Sequence, residues 1–162
     1  MYYLPSPYTI PWRTKKMMNV LIADDEAMVL EGLKHIINWD ELGFCICGEA
    51  QNGKDALEKI LKLQPELVLL DIRMPKLEGT DIIKIAREQG FKGRFIIISG
   101  YPNFKYAQTA IKYGVDFYLT KPIDEDELTN AVLSIYHDLI KSRTDKTMLL
   151  NYRENARYKI LQ

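Results

Sequence analysis

The chain is 162 residues long and is sparing in cysteine and histidine, with two of each. No apolar run approaches the roughly 18 residues that a membrane-spanning helix needs. The first sixteen residues are rich in Tyr and Pro and lack the continuous apolar core of a signal peptide. Residues 1–17 are therefore expected to be an added leader or expression remnant without order, and Met17 or Met18 is a plausible natural start. Cys45 and Cys47 alternate along one strand-like run, where a disulfide is geometrically unfavourable. No His or further Cys lies near them to complete a metal site. They are expected to be buried, reduced thiols, which suits a cytoplasmic protein. No basic neighbour marks either as a nucleophile.

Net charge is also missing, but its absence hides an asymmetry. Residues 19–140 hold 13 Lys+Arg and 20 Asp+Glu, a net of −7. Residues 1–18 carry three basic residues and no acid, and residues 141–162 carry six basic and two acidic. An acidic body is a poor footprint for nucleic acid, so this part of the chain is not expected to bind DNA itself.

What is present is an alternation. Strand-like apolar runs and helix-like segments follow one another five times, the pattern of a parallel sheet covered on both faces. Helical stripes are expected at Val29/Leu33/Ile36/Ile37, Ala56/Leu57/Ile60/Leu61, Ile82/Ile85/Ala86, Phe104/Ala107/Ile111 and Leu128/Val132/Ile135/Leu139. Asp124 followed by Glu127 has the spacing of a capping box for the fifth helix. After Lys141 the pattern thins to Leu149, Tyr152, Ala156 and Ile160, a stripe that could extend that helix.

Polar groups recur where the apolar runs end. Asp24-Asp25 follow Val20–Ala23, Asp71 follows Leu67–Leu70, Ser99 follows Phe95–Ile98, and Lys121-Pro122 follow Val115–Leu119. In an open parallel α/β sheet, these strand ends form one crevice in which ligands bind. Three carboxylates, a hydroxyl and an ammonium converging there could hold a divalent cation and a transferable phosphoryl group.

From about Met18 to Lys141 the chain resembles a response-regulator receiver domain, with every active-site position in order. Gly48–Gly53 and Ser99–Ala107 resemble, more narrowly, receivers attached to AraC-type DNA-binding domains. The resemblance implies a flavodoxin-like (βα)5 fold, doubly wound, with strand order 2-1-3-4-5. It implies a receiver at 18–141 and a helical linker at 142–162 leading to an output domain. It implies Asp71 as phosphoacceptor, and Mg²⁺ held by Asp25, Asp71 and the Arg73 backbone carbonyl, with Asp24 acting through water. Lys121 would pair with the phosphoryl group and follow it with a cis bond to Pro122. Ser99 would bind the phosphoryl group, and Tyr118 would turn inward as a switch aromatic. The implied partners are a sensor histidine kinase and, on activation, a second copy at the surface of the fourth helix, fifth strand and fifth helix. DNA would be contacted only through the output domain. Arg73 and Tyr101, bulky at two lifetime-tuning positions, are expected to shield the phosphoryl group from water.

Blander readings stand beside these. A lone Asp after a strand is usually a turn residue or helix cap, and Asp24 could simply cap the first helix. Ser99 could be an ordinary loop hydroxyl, Lys121 a solvated lysine and Tyr118 plain packing on an edge strand. The combination of a strand-end Ser, a Lys-Pro and an acidic pair favours the site. Gly48–Lys54 has P-loop spacing, but Asp55 stands where a metal-binding Ser or Thr belongs. It reads as a strand-to-helix turn in which Asn52-Gly53 supply a permissive backbone. His35 and His137 are isolated on helices, and Trp39 is expected to anchor the loop after the first helix. A phosphatase that uses an aspartyl phosphate would place a second Asp two residues after the nucleophile. Here that position is Arg73. A receiver acting by protein contact alone remains the other alternative.

Overall fold

The computed structural model describes residues 17–100 and 103–160; all but Met17 of the leader expected at residues 1–17, and the shielding role expected of Tyr101, fall outside them. Five strands alternate with five helices: β1 (Met18–Ala23), α1 (Ala27–Ile36), β2 (Phe44–Ala50), α2 (Gly53–Leu63), β3 (Leu67–Asp71), α3 (Gly79–Glu88), β4 (Arg94–Ser99), α4 (Phe104–Lys112), β5 (Phe117–Thr120) and α5 (Glu125–Ile160). All neighbouring strands are parallel, in the order β2-β1-β3-β4-β5. This is the fold the resemblance implied.

The period-2 side-chain alternation of a strand sorts the core into two layers. Val20, Ile22, Leu67, Leu69, Ile96 and Ile98 face Leu30, Leu33, Leu128, Val132 and Ile135 of α1 and α5. Leu21, Val68, Leu70, Phe95 and Ile97 face Ala56, Ile60, Ile82, Ile83, Ala86 and Ala110 of α2, α3 and α4. A strand buried on both faces has no polar face, and every residue of β3 is buried.

Three expectations need correction. On α4 the predicted stripe points outward: Phe104 is 77% exposed and Ile111 80%. Ala110 is buried instead, with Tyr106 and Tyr113 packed partly against the core. Both stripes have helical spacing, and the helix turns the one that contains Ala110 inward. The thiols are not buried: Cys45 is exposed and Cys47 half-buried, because β2 is an edge strand with one neighbour. The register between β1 and β2 also slips between Val20 and Leu21, so that Cys47 is skipped. Finally, Gly53 is not among the positive-φ residues. The turn before α2 is made by Asn52, whose side chain accepts the Asp55 N–H at 2.9 Å, and Gly53 serves another purpose, described below.

Other local expectations hold. Trp39 is buried and donates its indole N–H to the Leu33 carbonyl at 2.8 Å. Asp124 accepts the Glu127 N–H at 2.9 Å, opening α5. His35 and His137 are exposed. Helix α5 runs unbroken to Ile160, through the expected boundary at Lys141. On it Met148, Leu149 and Leu150 are exposed, and the side chains of Tyr152, Ala156 and Ile160 lie outside the description. No described helix is long and apolar enough to cross a membrane.

Candidate functional site

Because the strands are parallel, all five end on one rim. Asp71 and Ser99 are the last residues of β3 and β4, and Asp24 directly follows β1. All three are buried, the polar exceptions in an apolar core. Lys121, one residue past β5, donates to Asp24 Oδ2 at 2.9 Å and lies 3.6 Å from Asp71 Oδ2. Its backbone N–H is donated to the Ser99 carbonyl at 2.8 Å, which ties β5 to β4 beside the site. The Lys121–Pro122 peptide is cis.

Asp24 does two things at once. Its Oδ1 accepts the Glu26 N–H at 2.9 Å, at the start of α1, while Oδ2 takes Lys121. The capping expectation is not met, because Glu26 is the N-cap of α1 and no side chain caps it; Asp24 instead closes the turn that leads into the helix. Carboxylate oxygens of Asp24, Asp25 and Glu26 lie within 4.8 Å of one another. Asp25, Glu26, Asp71, Arg73, Gly100 and Lys121 line an open cleft of about 460 Å³. A depression of about 520 Å³ beside Trp39 is larger. Its Lys34 is already paired with Glu31 and Glu49, and among the described residues the group of three carboxylates close enough to share a metal ion is Asp24, Asp25 and Glu26 instead.

The electrostatics of the cleft are lopsided. Burial pushes the Asp71 carboxyl up to about 6, and the charge on Asp24 adds to the push; Lys121 and the Arg73 N–H, at 3.4 Å, pull the other way and lose. Burial lowers the Lys121 ammonium, but its bond to Asp24 and the charge of Asp71 outweigh this and hold it above its ordinary value. One ammonium thus faces the carboxylates of Asp24, Asp25, Glu26 and Asp71. A donor set made only of oxygen, with excess negative charge, fits a hard divalent cation.

Among the residues singled out in the sequence, Asp24, Asp25, Asp71, Arg73, Ser99 and Lys121 gather at this rim. Tyr118 does not line the cleft: it pairs in register with Ile97, two positions back from the Ser99–Thr120 pair, and packs against the α2–α3–α4 core. Glu26 is a member of the acidic group that the Asp24-Asp25 pair alone does not reveal. The run of three acids after β1 was the available signal.

An acidic cleft at the carboxyl ends of a 2-1-3-4-5 sheet, with a lysine reaching into it, defines the class of protein: a receiver module of the flavodoxin-like fold. Residues 20–133 match the response regulator receiver domain family, and the chain belongs to it. It is 39% identical over 130 residues to the uncharacterized transcriptional regulatory protein YesN of Bacillus subtilis, covering 80% of this chain and 35% of that protein. The chain spans roughly a third to a half of the length of the curated relatives it matches. Among solved structures, the REC domain of AraT, a response regulator from Geobacillus stearothermophilus, superposes with a TM-score of 0.73 at 38% identity, over 78% of this chain and 98% of that one. A CheX–CheY–BeF3–Mg complex from Borrelia burgdorferi superposes with a TM-score of 0.67 at 28% identity, over 74% of this chain and 89% of that one.

Proposed function

We propose that this domain accepts a phosphoryl group on Asp71 from a phosphohistidine of a sensor kinase. The observation that carries the reading is the Asp71 carboxylate itself, buried at a strand end yet open to the cleft, 3.6 Å from the Lys121 ammonium. An Asp71 oxygen attacks phosphorus; the P–O bond forms as the P–N bond breaks, and the imidazole leaves with the electron pair. Lys121 draws the phosphoryl oxygens toward Asp71 and offsets their charge. Ser99, buried beside it, donates its hydroxyl to the transferred group. Asp25, Asp71 and the Arg73 carbonyl are the residues that would hold Mg²⁺, with Asp24 in the outer shell. When bound, the ion neutralises the repulsion between two anions. That the Borrelia burgdorferi complex of the same fold contains Mg supports a role for the metal here. Arg73, exposed on the cleft wall, slows hydrolysis by shielding the product from water.

Phosphorylation biases the surface of α4, β5 and α5 through Ser99 and Tyr118. Phe104 and Ile111, exposed on α4, support a second copy docking there in the active state. The output is transcription control in the cytoplasm, through a DNA-binding domain beyond the α5 helix, as the name of the Bacillus subtilis relative supports. The domain turns over only its own phosphate. The test is intact mass after incubation with acetyl phosphate and Mg²⁺, beside Asp71→Asn. One metal-dependent adduct, absent from the variant, is expected. No adduct, or one that survives the substitution, refutes the reading.

A further inference from the structure

The loop from Ile72 to Glu78 joins the proposed phosphoacceptor to α3 and includes the carbonyl proposed as a metal ligand. It is gripped at two points, both by glycines. At its neck the Gly79 N–H is donated to the Ile72 carbonyl at 2.7 Å. A Cβ at Gly79 would lie 2.8 Å from the Asp71 carbonyl oxygen and 2.9 Å from the Ile72 Cα. At its tip the Gly53 N–H, at the start of α2, is donated to the Pro75 carbonyl at 3.0 Å. A Cβ at Gly53 would lie 1.9 Å from the Leu77 carbonyl oxygen and 2.6 Å from its carbonyl carbon. Between these two contacts Lys76 is held at φ +70°, in the left-handed region.

Gly53 is buried and has no need of positive φ. Its lack of a side chain is therefore explained by the approach of the Leu77 backbone. A methyl group there cannot be relieved by a rotamer change, because the atoms it meets are main chain. Helix α2 cannot readily retreat: Ala56 and Ile60 are fully buried and Asn52 caps its first turn. The loop neck is fixed as well, by the Gly79–Ile72 bond. What can move is the stretch 73–78, and Arg73 is at its start.

We infer that Gly53 is a positioning residue for the phosphoryl site, setting the place of the Arg73 carbonyl relative to Asp71 by seating the Pro75–Leu77 backbone on the first turn of α2. The inference rests on the receiver reading above and deepens it. The glycine of the P-loop-like segment thus binds no phosphate; it acts on the phosphoryl site from behind.

The test is Gly53→Ala, with Gly32→Ala as control, since a Cβ at Gly32 meets nothing within 4 Å. Mg²⁺ affinity is measured by calorimetry, and acetyl phosphate labelling by intact mass at low and saturating Mg²⁺. Outer-shell changes commonly weaken metal binding by about tenfold or more. That loss is expected for Gly53→Ala, with a labelling defect that shrinks at saturating Mg²⁺, while Gly32→Ala matches wild type. A cooperatively folded Gly53→Ala with wild-type Mg²⁺ affinity overturns the inference, even if its melting temperature has fallen. If Gly53→Ala does not fold, Asn52→Ala decides. It loosens the same turn without adding an atom, and an unchanged Mg²⁺ dissociation constant then overturns the inference. Wild-type protein that neither binds Mg²⁺ nor takes a phosphoryl group would instead refute the receiver reading, and this inference with it.

Discussion

The two rims of the sheet carry similar residue types and treat them in opposite ways. At the amino-terminal rim, charges are closed into pairs. Glu66 accepts the Asn19 N–H at 2.6 Å and the Arg143 guanidinium at 3.1 Å, joining β1, the start of β3 and α5. Arg94 pairs with Asp116 at 2.7 Å and reaches Asp138 of α5 at 4.0 Å. Arg87 donates to the carbonyls of Tyr113, Phe91 and Gly93, and its guanidinium carbon sits 4.9 Å from the Phe95 ring centroid. At the carboxyl-terminal rim Lys121 stands against an excess of acids, and burial leaves Asp71 titrating near 6. Compensated charge holds elements together. Uncompensated charge, kept in place by the rest of the fold, can bind a cation and react. Changes at the amino-terminal rim should therefore cost stability and spare reactivity, and changes at the carboxyl-terminal rim should alter reactivity without costing stability.

The largest contrast is expected at Lys121. Lys121→Ala should slow labelling by acetyl phosphate about a hundredfold, the scale of losing one aligned charge at a reacting oxygen, as measured by intact mass over time. A rate within a fewfold of wild type would break the comparison at its functional end. Next comes Arg87→Ala, which leaves three carbonyls without their donor and removes a cation–π contact. Urea unfolding should show a loss of about 3 kcal/mol, with the labelling rate per folded molecule unchanged.

A smaller effect sharpens the comparison by pH. The Asp71 carboxyl is raised from 3.8 to about 6 in the fold, so the folded state keeps this proton at pH values where the unfolded chain has lost it. Its contribution to stability is full below about 4 and is lost as pH rises through about 6. In Mg²⁺-free buffer Asp71→Asn should therefore gain about 2 kcal/mol on wild type between pH 4 and 7, read as the difference between two urea titrations. Added Mg²⁺ should shrink the gap by favouring the charged carboxylate. A gap that does not change with pH would mean that Asp71 carries no strain of burial. The smallest effect belongs to Arg143→Ala. Its pair with Glu66 is part-exposed, and Nη1 is buried without a hydrogen-bond partner, which offsets the gain from Nη2. A loss under about 1 kcal/mol is expected in the same assay, again with no change in labelling.

Much of this was legible in one dimension. The alternation of apolar runs and helical segments, and the polar group at each run's end, are local patterns. A parallel sheet turns them into a shared rim whatever the details of packing. The misreadings arose where two local patterns were equally good. On α4, Phe104/Ala107/Ile111 and Tyr106/Ala110/Tyr113 are both helical stripes, and only packing against the α2–α3–α4 layer decides that the second faces inward. Cys45 and Cys47 look like core residues in an apolar run, but exposure depends on β2 lying at the sheet edge. Glu26 was visible as a third acid, yet its access to the cleft depends on how α1 departs from β1.

The sequence by itself determined the strand and helix segments, the acids, the hydroxyl and the lysine that meet at one rim, and hence the receiver class. Those features depend on near neighbours in the chain and on the single geometry of parallel strands. Only the tertiary structure decided that Asp24 would both close the turn before α1 and hold Lys121, that Asp71 would be raised by burial, and that Gly53 would bear on the Asp71 loop. Those outcomes depend on which atoms from distant segments come within a few ångströms of one another, and burial, charge coupling and steric contact all act at that range.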